Sequence, residues 1–138
     1  MNAPATTPPA RTAAAVMEAI NRWPYQTFEY GTSDCCQFAA FVARELTGVD
    51  HAATFEYASE AEAQEIQRRA GGLTGALTAI FGEPMPVAAL LPGDPVLIRW
   101  RDLEVVAVVI GAGRAAAPDV HGHILEVPLR LACYGWSL

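Results

Sequence analysis

Cys35 follows Ser33 and Asp34, two residues that cap helices well, and it opens an apolar run at helical spacing. Its thiol is therefore expected in the first turn of a helix. There the unpaired backbone N–H groups and the helix dipole favour thiolate over thiol, which is how a cysteine nucleophile is primed. A live site also needs a base to take the thiol proton. His121 and His123, on a Gly-bearing turn just ahead of a β-rich run, are the candidate bases, and Asp34 is the candidate helix cap beside the nucleophile. The structural alternative is a small buried hydrophobe, because free cysteine is among the most buried residue types and the Cys35 face is otherwise apolar.

The other reactive side chains carry less. Cys36 lies about 100° around the helix from Cys35, beside Ala40 and Ala43, and reads as packing. Cys133 sits in a strand-like run and reads the same way. The Cα atoms of chain neighbours are about 3.8 Å apart, below the usual disulfide separation, and three cysteines is an odd number, so free thiols are expected. Cys35, Cys36, His121 and His123 have the ligand count of a zinc site, but adjacent helical cysteines diverge and no Cys-x-x-Cys spacing is present. Gly71-Gly72-Leu73 lacks the Lys of a phosphate loop. No metal and no cofactor are expected.

The elements that must position Cys35 follow from periodicity. Ala13, Val16, Met17 and Ile20 recur at helical spacing within a first helix from Ala10 to Arg22, which Pro24 ends. A loop from Trp23 to Ser33 carries the rings of Trp23, Tyr25, Phe28 and Tyr30, suited to packing on one another. The Cys35 helix runs to about Thr47, with Gly48 as its stop, and places Cys35, Phe38, Ala39, Val42 and Leu46 on one face. Ser59 and Glu62 form a possible capping box for a third helix to about Ala70, and Leu73 to Phe81 is a fourth. After the Pro92-Gly93-Asp94-Pro95 turn come β-rich runs at Val96 to Trp100, Val105 to Ile110 and Ile124 to Leu129, then Leu131 to Trp136. Helices first and strands later predict an α+β domain with an antiparallel sheet.

Composition bounds the class. In 138 residues, 52% apolar and 17% charged is the balance of one packed domain, expected over 10–138 behind an extended Pro-, Thr- and Ala-rich arm at 1–9. A net charge of −6 offers no electrostatic attraction to phosphate backbones, so nucleic acid is not an expected partner. No apolar window reaches the roughly 18 residues of a membrane span, and the N-terminus lacks the pattern of a secretion signal, so synthesis in the cytoplasm is expected.

An ordered series of residues supports a family resemblance. Phe28-Glu29-Tyr30-Gly31, Ser33-Asp34-Cys35 and Pro92-Gly93-Asp94 follow the order seen in NlpC/P60 domains, which have a papain-like fold. The series Asp34-Cys35-Cys36-Gln37-Phe38-Ala39-Ala40, Thr47-Gly48-Val49-Asp50, Tyr57, Gly71-Gly72-Leu73, Gly93-Asp94 and Trp136 more closely resembles a phage-associated offshoot of that fold. Together they cover residues from about 23 to 138.

The resemblance implies N-terminal helices packed on a C-terminal antiparallel sheet, Cys35 at the nucleophile position and Asp34 before it. It also implies a phage tail or tail-tip component in the virion, made in the host cytoplasm, with other tail proteins as partners. One departure stands out. Active NlpC/P60 enzymes open a strand with His-Val-Gly-Ile-x-x-Gly, whereas this chain reads Val105-Val106-Ala107-Val108-Val109-Ile110-Gly111. Without imidazole a thiol lacks a base usually worth about 10² to 10⁴ in rate. The resemblance therefore implies a structural component with an inactive or weakened hydrolase site. The alternative is an active cysteine peptidase or amidase that cleaves peptidoglycan peptides during infection, with His121 or His123 as base.

Overall fold

The computed structural model describes residues 11–54 and 56–138. The proposed arm at 1–9 lies outside them. Helix α1 (Ala13–Arg22) starts where Thr12 accepts the Ala15 N–H at 3.1 Å, and it buries Val16, Ala19 and Ile20. Its start falls three residues later than the sequence pattern placed it, because Thr12 takes the cap. Helix α2 (Cys35–Thr47) is capped by Asp34 and ends at Gly48 in the left-handed conformation.

Helix α3 (Glu60–Ala70) begins with the Ser59 hydroxyl accepting the Glu62 N–H at 3.2 Å. The reciprocal arm of the box reaches one residue further back: the Glu62 carboxylate accepts the Ala58 N–H at 2.6 Å. Glu60, Glu65 and both arginines of its last turn are exposed or nearly so, as its charged composition requires. Helix α4 (Leu73–Phe81) follows directly and buries Leu73, Ala76 and Leu77.

Five antiparallel strands form one sheet in the order β4-β3-β2-β1-β5. They are β1 (Pro95–Trp100), β2 (Leu103–Gly111), β3 (Arg114–Pro118), β4 (Ile124–Pro128) and β5 (Ala132–Gly135). Strand β3 is absent from the sequence reading. Its Arg-Ala-Ala-Ala-Pro stretch has poor strand propensity, and it is held instead by partners on both sides. The tight Ala112-Gly113 turn, with φ of 54° and 72°, delivers it into register beside β2. Small side chains suit this central position, where Ala115 and Ala116 are fully buried. The last β-rich run, Leu131 to Trp136, forms β5, and a 3₁₀ turn at Leu129–Leu131 separates it from β4.

Alternation along β2 separates two apolar layers. Val106, Val108 and Ile110 join Val16, Phe38, Val42, Leu97 and Trp136 under the helices, whereas Val105, Ala107 and Val109 join Val96, Ile98 and Ala115 on the opposite face. Trp136 is wholly buried, with its indole N–H donated to the Thr78 hydroxyl at 3.2 Å. Trp23 sets its ring edge against Phe38 and Phe41, with centroids 5.5 and 5.2 Å apart, and so covers the middle of α2.

At the other end of α2, Asp94 closes the structure. This carboxylate is 1% exposed and accepts the N–H groups of Leu91 (2.8 Å) and Leu138 (3.1 Å) while pairing with the Arg11 guanidinium. One side chain thus joins the first turn before the sheet to residues from both ends of the chain. Gly93, at φ +94°, lies against Leu46, where a Cβ would come within 2.5 Å of the Leu46 side chain.

Candidate functional site

The site is organised by Asp34, which is 3% exposed. One carboxylate oxygen accepts the Gln37 N–H at 2.9 Å and thereby caps α2. The other accepts the Gly31 N–H and the Tyr57 hydroxyl, both at 2.7 Å. Three donors therefore satisfy the carboxylate with no cation among them. Ser33, the other candidate cap, is used elsewhere: its hydroxyl donates to the Thr27 carbonyl at 2.6 Å and fixes the loop that leads into the helix.

Gly31 is required twice over. Its φ is +81°, and a Cβ there would lie 1.9 Å from the Tyr57 carbonyl oxygen. Tyr57 thus braces the Asp34 cap from a segment more than twenty residues away. Burial raises the Tyr57 phenol well above its ordinary pKa, and the nearby Cys36 and Asp34 add to the effect. The hydroxyl stays protonated as a donor. The sequence reading included Tyr57 only as one member of the family series, since nothing local links it to Asp34.

Cys35 occupies the first turn of α2, half-buried, and packs against the layer under the helices. Its sulfur accepts the backbone N–H of Val106 at 3.4 Å. That donor is free because the β2–β3 pairing extends only from Gly111↔Arg114 to Val108↔Ala116. Beyond that point β3 diverges from β2 while still pairing with β4, and α2 fills the gap.

The adjacent Cys36 thiol is the largest influence lowering the Cys35 pKa, with the Val106 N–H acting in the same direction. Burial and the neighbouring Asp34 charge oppose the shift, but Cys35 ends below the ordinary thiol value. Cys36 moves the other way, well above its ordinary value, first because of the adjacent Cys35 and then because of burial. Cys35 is therefore the more acidic thiol of the two.

Val105, which the sequence comparison set against the His of the NlpC/P60 strand motif, belongs to the layer on the far face of the sheet. The residue presented to Cys35 is Val106, through its backbone. His121 and His123 are exposed on a turn organised by Asp119, whose carboxylate accepts their N–H groups at 2.8 and 2.9 Å. The His123 ring packs on Tyr25, 5.7 Å between centroids, and its Nδ1 is 3.6 Å from the Asp119 carboxylate. Neither imidazole lines the groove that holds Cys35.

A different histidine does line it. His51, in a short 3₁₀ turn after α2, packs at a tilt against Phe81 with centroids 4.7 Å apart, and partial burial lowers its pKa so that the neutral ring is favoured. The sequence reading assigned His51 no role, because its relation to the Cys35 groove arises only when α4 brings Phe81 across. Cys35, Cys36 and His51 all line this groove.

The groove itself has a volume of ≈ 820 Å³. It starts at the first turn of α2, passes along α3 and α4, and continues around the β1–β2 hairpin at Trp100 and Leu103 to the far sheet face at Leu125. Most of its exposed surface is apolar. Among the described residues no cluster of three His, Cys, Asp or Glu side chains could hold a metal ion, and no helix is long and apolar enough to cross a membrane.

Helices on one face of a five-stranded antiparallel sheet, with a cysteine at the start of the central helix, define a papain-like α+β fold of the NlpC/p60 kind. The chain is similar to the crystal structure of the NlpC/p60 domain of the peptidoglycan hydrolase SagA, with a TM-score of 0.58 and 16% sequence identity over 92% of this chain and 99% of that one. A family model described as a domain of unknown function (DUF6950) matches residues 10–138, and the chain belongs to that family. No curated protein matches it in sequence.

Proposed function

We propose that the chain is a structural component of a phage tail or tail tip that retains an NlpC/p60-like fold around a hydrolase site that is inactive or much weakened. Supporting the tail assignment is the ordered series from Asp34-Cys35-Cys36 to Trp136, which resembles phage-associated members of this fold. The observation that carries the loss of activity is the surroundings of the Cys35 sulfur. Its hydrogen-bond partner is the Val106 backbone N–H at 3.4 Å, a donor. Donors stabilise a thiolate, but they cannot remove its proton or return one to a leaving amine. Its partners would be other tail proteins, and its location the virion.

A second reading is favoured by one observation. The lowered Cys35 pKa is the property expected of a live nucleophile, so the alternative is a cysteine peptidase or amidase acting on peptidoglycan peptides. The two separate cleanly. Purified protein incubated with peptidoglycan and with defined muropeptides, followed by mass spectrometry, is expected to release no more product than its Cys35→Ser variant. Cleavage that disappears in Cys35→Ser would overturn the proposal. For the tail assignment, the chain is expected in the tail fraction of dissociated phage particles, and its absence from intact particles would reject that role.

A further inference from the structure

We infer that α3 is a lid over the groove beside Cys35, opening as an intact helix about its Gly71–Gly72 link to α4. The four helices are held very unequally. Helix α2 buries five residues, and α1 and α4 bury three each, whereas the 11 residues of α3 bury only Ala63. Its principal neighbour among the described elements is α4, while α2 is packed by α1, the His51 turn, β2 and β3. Few buried apolar contacts mark a segment that opens at small cost. The ion pairs of α3 do not hold it down either. Arg68 and Arg69 both pair with Glu65 of the same helix, so these charges travel with α3 and tie it to no other element.

The two ends of α3 differ. Just before its start, Tyr57 packs its carbonyl against Gly31 and donates its hydroxyl to Asp34, which anchors the chain beside the α2 cap. At the far end Gly71 and Gly72 have φ of +86° and +97°, and a Cβ on either would meet nothing within 4 Å. Two consecutive glycines in open space have no packing to hold their dihedrals, and glycine takes positive and negative φ with similar ease. That is the composition of a hinge. The inward face of α3 carries Ala63, Ile66 and Gln67 into the groove wall, so swinging the helix outward removes that wall. The helix that contributes least to the core thereby sets access to the thiol. This inference is independent of catalysis and of the tail assignment, because it uses only how α3 is attached.

The test uses the full chain, with each thiol read separately by peptide mass spectrometry. Ala63 and Ala43 are both buried alanines, the first on α3 and the second on α2. Iodoacetamide should alkylate Ala63→Cys about hundredfold faster than Ala43→Cys, because only the first lies on a helix that opens without global unfolding. Gly71→Asn keeps a residue that tolerates the left-handed helix stop but narrows its freedom, so it should slow labelling at position 63 about threefold or more. It should slow labelling of Cys35 by a bulky maleimide as well, while leaving that of Ala43→Cys unchanged. Hydrogen exchange separates swinging from melting. The interior amides of α3 should be protected about tenfold or more beyond the thiol at position 63, since an intact helix keeps its own hydrogen bonds. Equal labelling of the two cysteine variants, labelling at position 63 or at Cys35 that ignores Gly71→Asn, or α3 amides no better protected than that thiol would overturn the proposal. Should Ala63→Cys fail to fold, Ile66→Cys, at a half-buried position in the same groove wall, takes its place.

Discussion

Two buried aspartates flank α2 and are satisfied in opposite ways. Asp94, near its C-terminal end, accepts two backbone N–H groups and pairs with the Arg11 guanidinium, joining residues close to both chain ends. Asp34, at its start, is held by two backbone N–H groups and a tyrosine hydroxyl, with no countercharge. A cation fixes a carboxylate firmly but neutralises its field. Leaving Asp34 without one keeps its negative charge acting on the thiols beside it. The difference separates a clasp, whose work is stability, from a cap that also tunes Cys35.

The largest effect should come from breaking the clasp. Asp94→Ala leaves the Arg11 guanidinium and the Leu91 and Leu138 N–H groups without their acceptor, and a loss of about 3–5 kcal/mol is expected in urea unfolding. The pH midpoint of Cys35 alkylation should not move. A loss below about 1 kcal/mol would show that the pair contributes little. Breaking the cap should cost less: Asp34→Ala removes a helix cap and orphans the Tyr57 hydroxyl, for about 1–3 kcal/mol.

Charge and hydrogen bonding at Cys35 can then be separated. Asp34→Asn keeps a good capping side chain but removes the negative charge that raises the Cys35 pKa, so the alkylation midpoint should shift to lower pH. Cys36→Ala removes the strongest lowering influence and should shift the midpoint to higher pH, while Cys36→Ser, which still offers a donor, should restore part of the difference. If both changes moved the midpoint in the same direction, the roles assigned to Asp34 and Cys36 would be wrong.

The smallest expected effect is at His51. Its folded-state pKa lies below the ordinary value, so in the window between the two the unfolded chain binds more protons. The contribution of the neutral ring is complete above the unfolded value, about 6.5, and is lost as pH falls through the depressed folded value. Unfolding measured from pH 7.5 to 5 should show this decline, and His51→Phe should flatten it. An unchanged slope would assign the decline to other groups.

Helices α2, α3 and α4 were readable because their signals are local. The Asp34 and Ser59 caps, the Gly48 and Gly71 stops and the apolar spacing all lie within a few residues of the backbone groups they serve. The α+β class followed from the order of these segments. Strand β3 was not readable, because alanines carry no strand preference of their own and its pairing depends on β2 and β4. The place of Cys35 at a helix start was legible, as was the valine at the strand position.

Tertiary structure alone decided what surrounds the thiol. Nothing in the chain near Asp34 announces the Tyr57 hydroxyl, and nothing near Cys35 announces the Val106 N–H, which is free only because β3 leaves β2 after Val108↔Ala116. His51 enters the groove wall through its tilted contact with Phe81, while His121 and His123 are exposed on the Asp119 turn. Local sequence determines which backbone groups need caps and which faces are apolar, since these depend on neighbours along the chain. The ionisation of Cys35 and the shape of its groove depend on distances between segments far apart in sequence, and only packing sets those distances.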